Sequence, residues 1–283
     1  MNTSPLISVV IPAYNRAWTL RNAVDSVLDQ AYSPFELLVI DDGSADETPA
    51  LLREYGDRIR VFRQSNQGVG AARNRGIAVA RGSLIAFLDS DDRWLPGKLA
   101  AQAAFFEEHP EALICQTEEI WVRNGVRVNP RRRHQKRSGM IFEPSLALCL
   151  VSPSAVMVRR SLFDEVGRFD ETLPACEDYD LWLRVSRRHP VHLIETPLIV
   201  KHGGHEDQLS GMAGLDRYRV QSIRKLLDAG DLSPDQERAA RRVLAEKCRI
   251  YAAGCRKRGR EDEANHFREM AERYGPGASR RGA

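Results

Sequence analysis

The sequence has no C-x-x-C pair. Its five cysteines (Cys115, Cys149, Cys176, Cys248 and Cys255) are an odd number without metal-ligand spacing. That argues against a disulfide framework or a zinc site and for a reducing compartment. No apolar run approaches the roughly 18 residues of a membrane span, and the first residues lack a secretory signal pattern. A net charge of +3 over 283 residues gives no argument for nucleic acid. The expectation is a cytoplasmic protein, compatible with peripheral contact at the inner face of a membrane and with no nucleic-acid partner. Nucleotide signatures are missing too. GVGAAR at 68–73 lacks the third glycine of G-x-G-x-x-G and does not follow the first strand, which disfavours a dinucleotide fold. There is no G-x-x-x-x-G-K-[ST] and no G-x-S-x-G, so neither a P-loop nor a hydrolase elbow is present.

What is present is a set of short apolar runs that end in acids. Residues 84–88, LIAFL, are too short for a helix and read as a strand buried on both faces. They stop at Asp89, Ser90, Asp91 and Asp92. Three carboxylates at a buried strand end repel one another and are costly to desolvate. A hard divalent cation would neutralise them; a solvated turn is the plainer reading of D-x-D-D alone.

Residues 6–11 form a first strand stopped by Pro12, with PAYNR after it. Residues 18–30 carry an apolar helix face at Leu20, Ala23, Val24, Val27 and Leu28. Residues 35–40 form a second buried strand ending in Asp41 and Asp42. Ser44 and Glu47 have capping-box spacing and predict a helix to about residue 55. A polar strand over 59–63 and a helix over 71–80 follow. Strands and helices alternating with short links predict a parallel sheet covered on both faces, with ligands at the strand carboxyl ends. All three polar clusters lie there.

Further on, a helix over 97–108, strands over 112–117 and 120–128, an apolar stretch over 154–158 and a short helix over 160–166 are expected. Residues 131–137, RRRHQKR, read as a solvated loop or as a lip that meets a phosphate or an anionic acceptor. Glu177 and Asp178 stand in the first turn of a helix, where capping suffices to explain them. Strands over 191–195 and 198–201 come next. From residue 211 the texture turns helical, with helices over 215–227, 233–256 and 261–274. The predicted organisation is a domain over 1–210, a helical region over 211–274 suited to packing or a homodimer contact, and a disordered tail over 275–283.

Taken together, strand-PAYN, strand-DDGS, G-x-x-x-ARN-x-G, strand-DSDD-x-W-x-P-x-KL and ED-x-D-LW-x-R resemble the family 2 glycosyltransferases over residues 6–210. Each motif is weak alone, but all five occur in order. The resemblance implies a GT-A fold, with a mixed, mainly parallel sheet flanked by helices, and an inverting transfer from a UDP-, GDP- or dTDP-sugar, UDP foremost. The acceptor would be a glycan or lipid-linked, as in surface polysaccharide synthesis. By position it places Pro12, Ala13, Tyr14 and Asn15 around the base, with Tyr14 stacking. Asp42 accepts from the base with Asp41 beside it, Arg73 helps hold the nucleotide, Asp89 contacts the ribose, and Ser90 is among the nucleotide-sugar-binding residues. Asp91 binds Mn²⁺ or Mg²⁺ bridging the diphosphate, with Asp92 close by and His205, or alternatively His202, completing the contacts. Asp178 is the implied general base and Glu177 orients it or meets the acceptor; Trp182 can be plain core. Two other classes stay in view. A sugar nucleotidyltransferase would carry a basic, glycine-rich loop where PAYNR stands. A non-catalytic relative would lack Asp91 or Asp178, and both are here.

Overall fold

The computed structural model describes residues 4–205 and 207–275; most of the expected tail, 276–283, lies outside them. In chain order the first elements are β1 (Ile7–Ala13), α1 (Leu20–Leu28), β2 (Phe35–Asp41), α2 (Thr48–Arg53), β3 (Arg60–Arg63), α3 (Val69–Val79), β4 (Leu84–Phe87), β5 (Arg93–Trp94) and α4 (Lys98–Glu108). They are followed by β6 (Ile114–Arg123), β7 (Val126–Val128), α5 (Phe142–Ala147), β8 (Val156–Arg159), α6 (Leu162–Val166), α7 (Glu177–Ser186) and β9 (His192–Gly203). Three helices close the chain: α8 (Leu215–Ala229), α9 (Pro234–Lys257) and α10 (Glu261–Tyr274).

The sheet runs β3-β2-β1-β4-β8-β6-β9-β5, with β7 beside β6. Its first four strands are parallel; β8 then enters antiparallel to β4 and β6. Strand β1 is buried at every position, and its two faces feed two cores. Ile7, Val9 and Ile11 pack with Leu20, Val24 and Val27 of α1 and Leu99 and Phe106 of α4. Val10 packs with Ala72 and Ile77 of α3 and Leu181 and Trp182 of α7, so Trp182 is core. Gly76 makes the α3 contact feasible, because a Cβ there would lie 2.3 Å from Val10 Cγ1.

The structure corrects several readings. Pro12 does not end β1, which continues to Ala13. The Ser44–Glu47 box does not form. Ser44 Oγ instead accepts from Asn15 N at 2.9 Å, and the helix begins later, with Pro49 in its first turn and Asp46 Oδ1 accepting from Thr48 N. The two strands expected over 191–201 are one, β9, because Glu195, Thr196 and Pro197 are absorbed as an irregularity in its pairing with β6. The strand expected over 112–117 runs on through polar Glu118 and Glu119. Glu119 is buried there because Lys136 pairs with it at 2.9 Å and, with Lys201, holds its carboxyl down at about 2 despite burial. β6 then turns into β7 through Asn124 and Gly125, both at positive φ (48° and 77°), the geometry of a tight hairpin turn.

A third core joins α8, α9 and α10 to Phe142 and Leu146 of α5 and Tyr179 and Leu183 of α7. Ser233 caps α9 in a full capping box with Gln236. At the start of α4, Lys98 is wholly buried. It donates to Gln102 Oε1 and lies 4.3 Å from the Trp94 ring centre. Burial pulls its ammonium down to about 7.

Candidate active site

The ends of β1 and β2 are stitched together. Asp42 N donates to Ala13 O at 2.8 Å. Asn15, at φ 52°, accepts at Oδ1 from Ala45 N at 2.8 Å. Asp41 Oδ1 accepts from Ser44 N at 2.9 Å. The Asp42 carboxylate receives Gln67 N (3.0 Å), Gly68 N (2.8 Å) and Gln64 Nε2 (2.8 Å). Asp41, Asp42 and Asn15 therefore shape the loops, and Ala13 lies in the core. Tyr14 is different: the residue is 46% exposed beside this scaffold.

The acids after β4 have separate partners. Ser154, in the turn just before β8, accepts from Asp89 N at 3.0 Å and donates to Asp92 Oδ2 at 2.6 Å. Asp92 Oδ1 also accepts from His202 N at 2.9 Å. Asp92 is 2% exposed, and burial together with neighbouring Asp91 and Asp89 raises its carboxyl well above the usual range. It clasps β9 to this turn. Ser90 is buried. Asp91 Oδ2 lies 2.7 Å from His205 Nε2, while His205 Nδ1 lies 2.6 Å from Asp207 Oδ1. Arg16 pairs with Asp207 in turn, and Trp18 meets the His205 ring edge-on at 5.4 Å. The segment after β9 is thereby tied to the loop after β1. Of the two histidines, His205 brings its ring to the Asp91 carboxylate, whereas the His202 ring faces the Asp91 backbone and its buried Nδ1 has no partner among the described residues.

Arg73, on α3, joins this turn to α7. It donates from Nη2 to Asp89 Oδ1 at 2.6 Å and from Nη1 to Glu177 Oε1 at 2.5 Å, lying over the Phe169 ring at 5.3 Å. Burial pushes the Glu177 carboxyl up to about 7, with Arg73 opposing and Asp178 reinforcing the shift. Glu177 is thus an ion-pair partner, with no side-chain cap on α7. Asp178 Oδ1 accepts from its neighbour Tyr179 N at 2.7 Å, and Cys149 Sγ donates to Oδ2 at 3.7 Å. Burial, then Asp178, keeps the Cys149 thiol protonated. The rest of the ARN-x-G motif is structural. Asn74 donates to Phe169 O at 2.9 Å and accepts from Phe169 N at 3.0 Å, which fixes the segment leading to α7.

Sequence reasoning missed Ser154, Asp207 and Lys201. Lys201 Nζ donates to Ser152 Oγ at 3.2 Å. Burial opposes its charge, but Glu119, Asp92, Asp89 and Asp178 outweigh that and raise its pKa. A lone lysine closing the apolar run LIVK was the available signal. Among the described residues no three of His, Cys, Asp and Glu gather into a metal-binding group. Asp91 and His205 are a two-donor set, with the second imidazole nitrogen held by a carboxylate as metal-binding histidines usually are. That fits a hard cation that takes its other ligands from a substrate's phosphates and water.

The model of glycosyl transferase family 2 matches residues 8–167. A putative teichuronic acid biosynthesis glycosyltransferase of Bacillus subtilis is 30% identical over 192 residues, covering 66% of this chain and 74% of that protein. An uncharacterized glycosyltransferase of Rickettsia typhi is 33% identical over 215 residues, covering 74% and 67%. Another, from Rickettsia felis, is 32% identical, but the match spans only 35% of its length. Among solved structures, Staphylococcus aureus TarS 1–349 in complex with UDP-GlcNAc superposes with a TM-score of 0.64 at 17% identity, covering 95% of this chain and 92% of that one. The mannosyltransferase PcManGT of Pyrobaculum calidifontis, in complex with GDP-Man and Mn²⁺, gives 0.59 at 18% identity, covering 96% and 81%. The fold is GT-A, with a helical C-terminal region.

Proposed function

The chain belongs to glycosyl transferase family 2, and from that premise we propose that it moves a sugar from a nucleoside-diphosphate sugar to an acceptor hydroxyl with inversion, aided by a divalent metal. The observation that carries this reading is the convergence of DSDD and ED on Arg73, which contacts Asp89 and Glu177 at 2.6 and 2.5 Å. Asp89 and Glu177, 88 positions apart, are brought together by one side chain. The UDP-GlcNAc of TarS and the GDP-Man and Mn²⁺ of PcManGT support a nucleotide-sugar donor and a metal.

In this reading Tyr14 stacks on the base and Asp89 faces the ribose. Asp91 and His205 would hold Mn²⁺ or Mg²⁺, which supplies Lewis-acid stabilisation to a diphosphate leaving group. Asp178 takes the acceptor's hydroxyl proton. The acceptor oxygen bonds to the anomeric carbon as that carbon's bond to the diphosphate oxygen breaks, and the nucleoside diphosphate leaves with the bonding pair. One displacement inverts the anomeric centre. Arg73 and Glu177 hold the helix that aims Asp178; Lys201 keeps a positive charge among the carboxylates. No helix of the described residues is long and apolar enough to cross a membrane. We place the protein in the cytoplasm, in synthesis of a surface polysaccharide.

The test is thermal stability against UDP, GDP and dTDP, each with and without Mn²⁺. Ligand at about a hundred times its Kd adds ~2.7 kcal/mol. A shift with one nucleotide that requires metal and is absent in Asp91→Ala is expected. No shift with any of them, from folded protein, would overturn the donor site.

A further inference from the structure

The arginines around the β6–β7 hairpin have no work in the reading above. Arg123, Arg131, Arg132, Arg133 and Arg137 are all exposed, and among the described residues none pairs with a carboxylate. Three of them gather around one ring: Arg133, Arg123 and Arg131 all act on His134 and, after burial, push its pKa down. Arg123 lies over Trp121 at 5.8 Å, and His134 meets the same indole edge-on at 5.3 Å.

A solvated charge run would hang free. This one is built in. Lys136 passes inward, donates to Thr117 O at 2.8 Å and pairs with buried Glu119 at 2.9 Å. Gly139 and Val191 exchange two backbone hydrogen bonds, at 2.8 and 2.9 Å. Cations fixed on an ordered, exposed surface make a favourable landing place for an anion. The position also matters. Glu119 acts electrostatically on Lys201, and Lys201 in turn on Asp92, Asp89 and Asp178, so the root of the loop adjoins the acid cluster.

We infer that this arginine surface docks an acceptor carrying repeated anionic groups, phosphodiester or carboxylate, and guides its hydroxyl end toward Asp178. The inference rests on the glycosyltransferase reading and narrows its acceptor. The residue type favours a discrete ligand over a diffuse membrane potential. The only lysine of 131–137 is buried, and the exposed cations are guanidinium forks suited to bidentate contact with phosphate or carboxylate.

The experiment titrates the full chain with short linear polyphosphate, an oligogalacturonide and a neutral dextran oligosaccharide, alongside the nucleotide and Mn²⁺ shift. The triple variant Arg131→Gln/Arg132→Gln/Arg133→Gln is measured in parallel. Binding of polyphosphate or oligogalacturonide at least tenfold tighter than dextran, weakened tenfold or more in the variant with its nucleotide shift unchanged, is the expected result. Whichever of the two binds tighter identifies phosphate or carboxylate as the anion. Equal binding by dextran, or unchanged polyanion binding in the variant, would overturn this inference alone. So would capture by phosphatidylglycerol vesicles that neither polyanion displaces. Absence of any nucleotide shift in the wild type would instead remove the donor reading beneath it.

Discussion

Arg73 holds Asp89 and Glu177 on its two terminal nitrogens while almost wholly buried, at 4% side-chain exposure. Removing one partner of such a buried cluster costs about 3–5 kcal/mol, because the others are left uncompensated. Arg73→Met should lower the unfolding free energy by roughly that amount, read from urea titrations of the two proteins. Arg73→Lys keeps the charge but cannot span both carboxylates, so it should fold and yet bind donor nucleotide at least tenfold more weakly. Wild-type affinity in Arg73→Lys would show that the bridge has no bearing on the donor.

Asp178→Asn keeps the hydrogen bond from Tyr179 N available and removes the carboxylate proposed to accept the proton. Nucleotide binding should be retained while turnover falls by about 10²–10⁴-fold. Near-normal turnover with any acceptor would reassign the base.

Lys98 titrates inside the core. Its folded value of about 7 lies below its ordinary 10.5, so between those limits the unfolded chain binds more protons. Stability from this group therefore rises with pH through that window and is lost as pH falls through 7. Lys98→Met should be more stable than the wild type near pH 7, by on the order of a few kcal/mol, and the gap should narrow toward about pH 9. Urea midpoints for both proteins at three pH values check this; a pH-independent difference would mean that Lys98 keeps its proton.

Gly76→Ala forces a methyl group to within 2.3 Å of Val10. Overpacking of this kind costs typically 1–3 kcal/mol. A calorimetric Tm equal to the wild type's would mean that α3 can slide away from β1 freely.

The sheet's first half was legible because its strands are continuous apolar runs and α1 has a clean apolar face. The acids of Asp89 to Asp92 stood out because they end an apolar strand, whereas His205 was named only by resemblance, and the structure puts its ring 2.7 Å from Asp91. Ser154 was not legible. It lies 62 positions from Asp92, in an unremarkable apolar stretch, and only the antiparallel insertion of β8 beside β4 brings it beneath both acids. Glu119 and Lys136 failed for a related reason. Each reads as surface alone, and only their mutual neutralisation allows burial. The break expected in β9 came from Pro197, whose disruption the pairing with β6 absorbs. Two motif residues, Asn74 and Gly76, turned out to hold the site's frame.

Helix α7 belongs to two neighbourhoods at once. Its first turn carries Asp178, while Tyr179 donates to Leu146 O at 2.6 Å and Asp180 receives Lys225 of α8 at 2.7 Å. Lys247 of α9 reaches Ala147 O at 3.0 Å. The C-terminal helices are therefore not a detachable module. A chimera joined near residue 210 would import helices cut for another protein's α5 and α7, and misalignment there would be felt at Asp178 itself. Recombination among relatives should preserve α5, α7, α8 and α9 as one inherited block, so that new acceptors are reached by rebuilding loops around it.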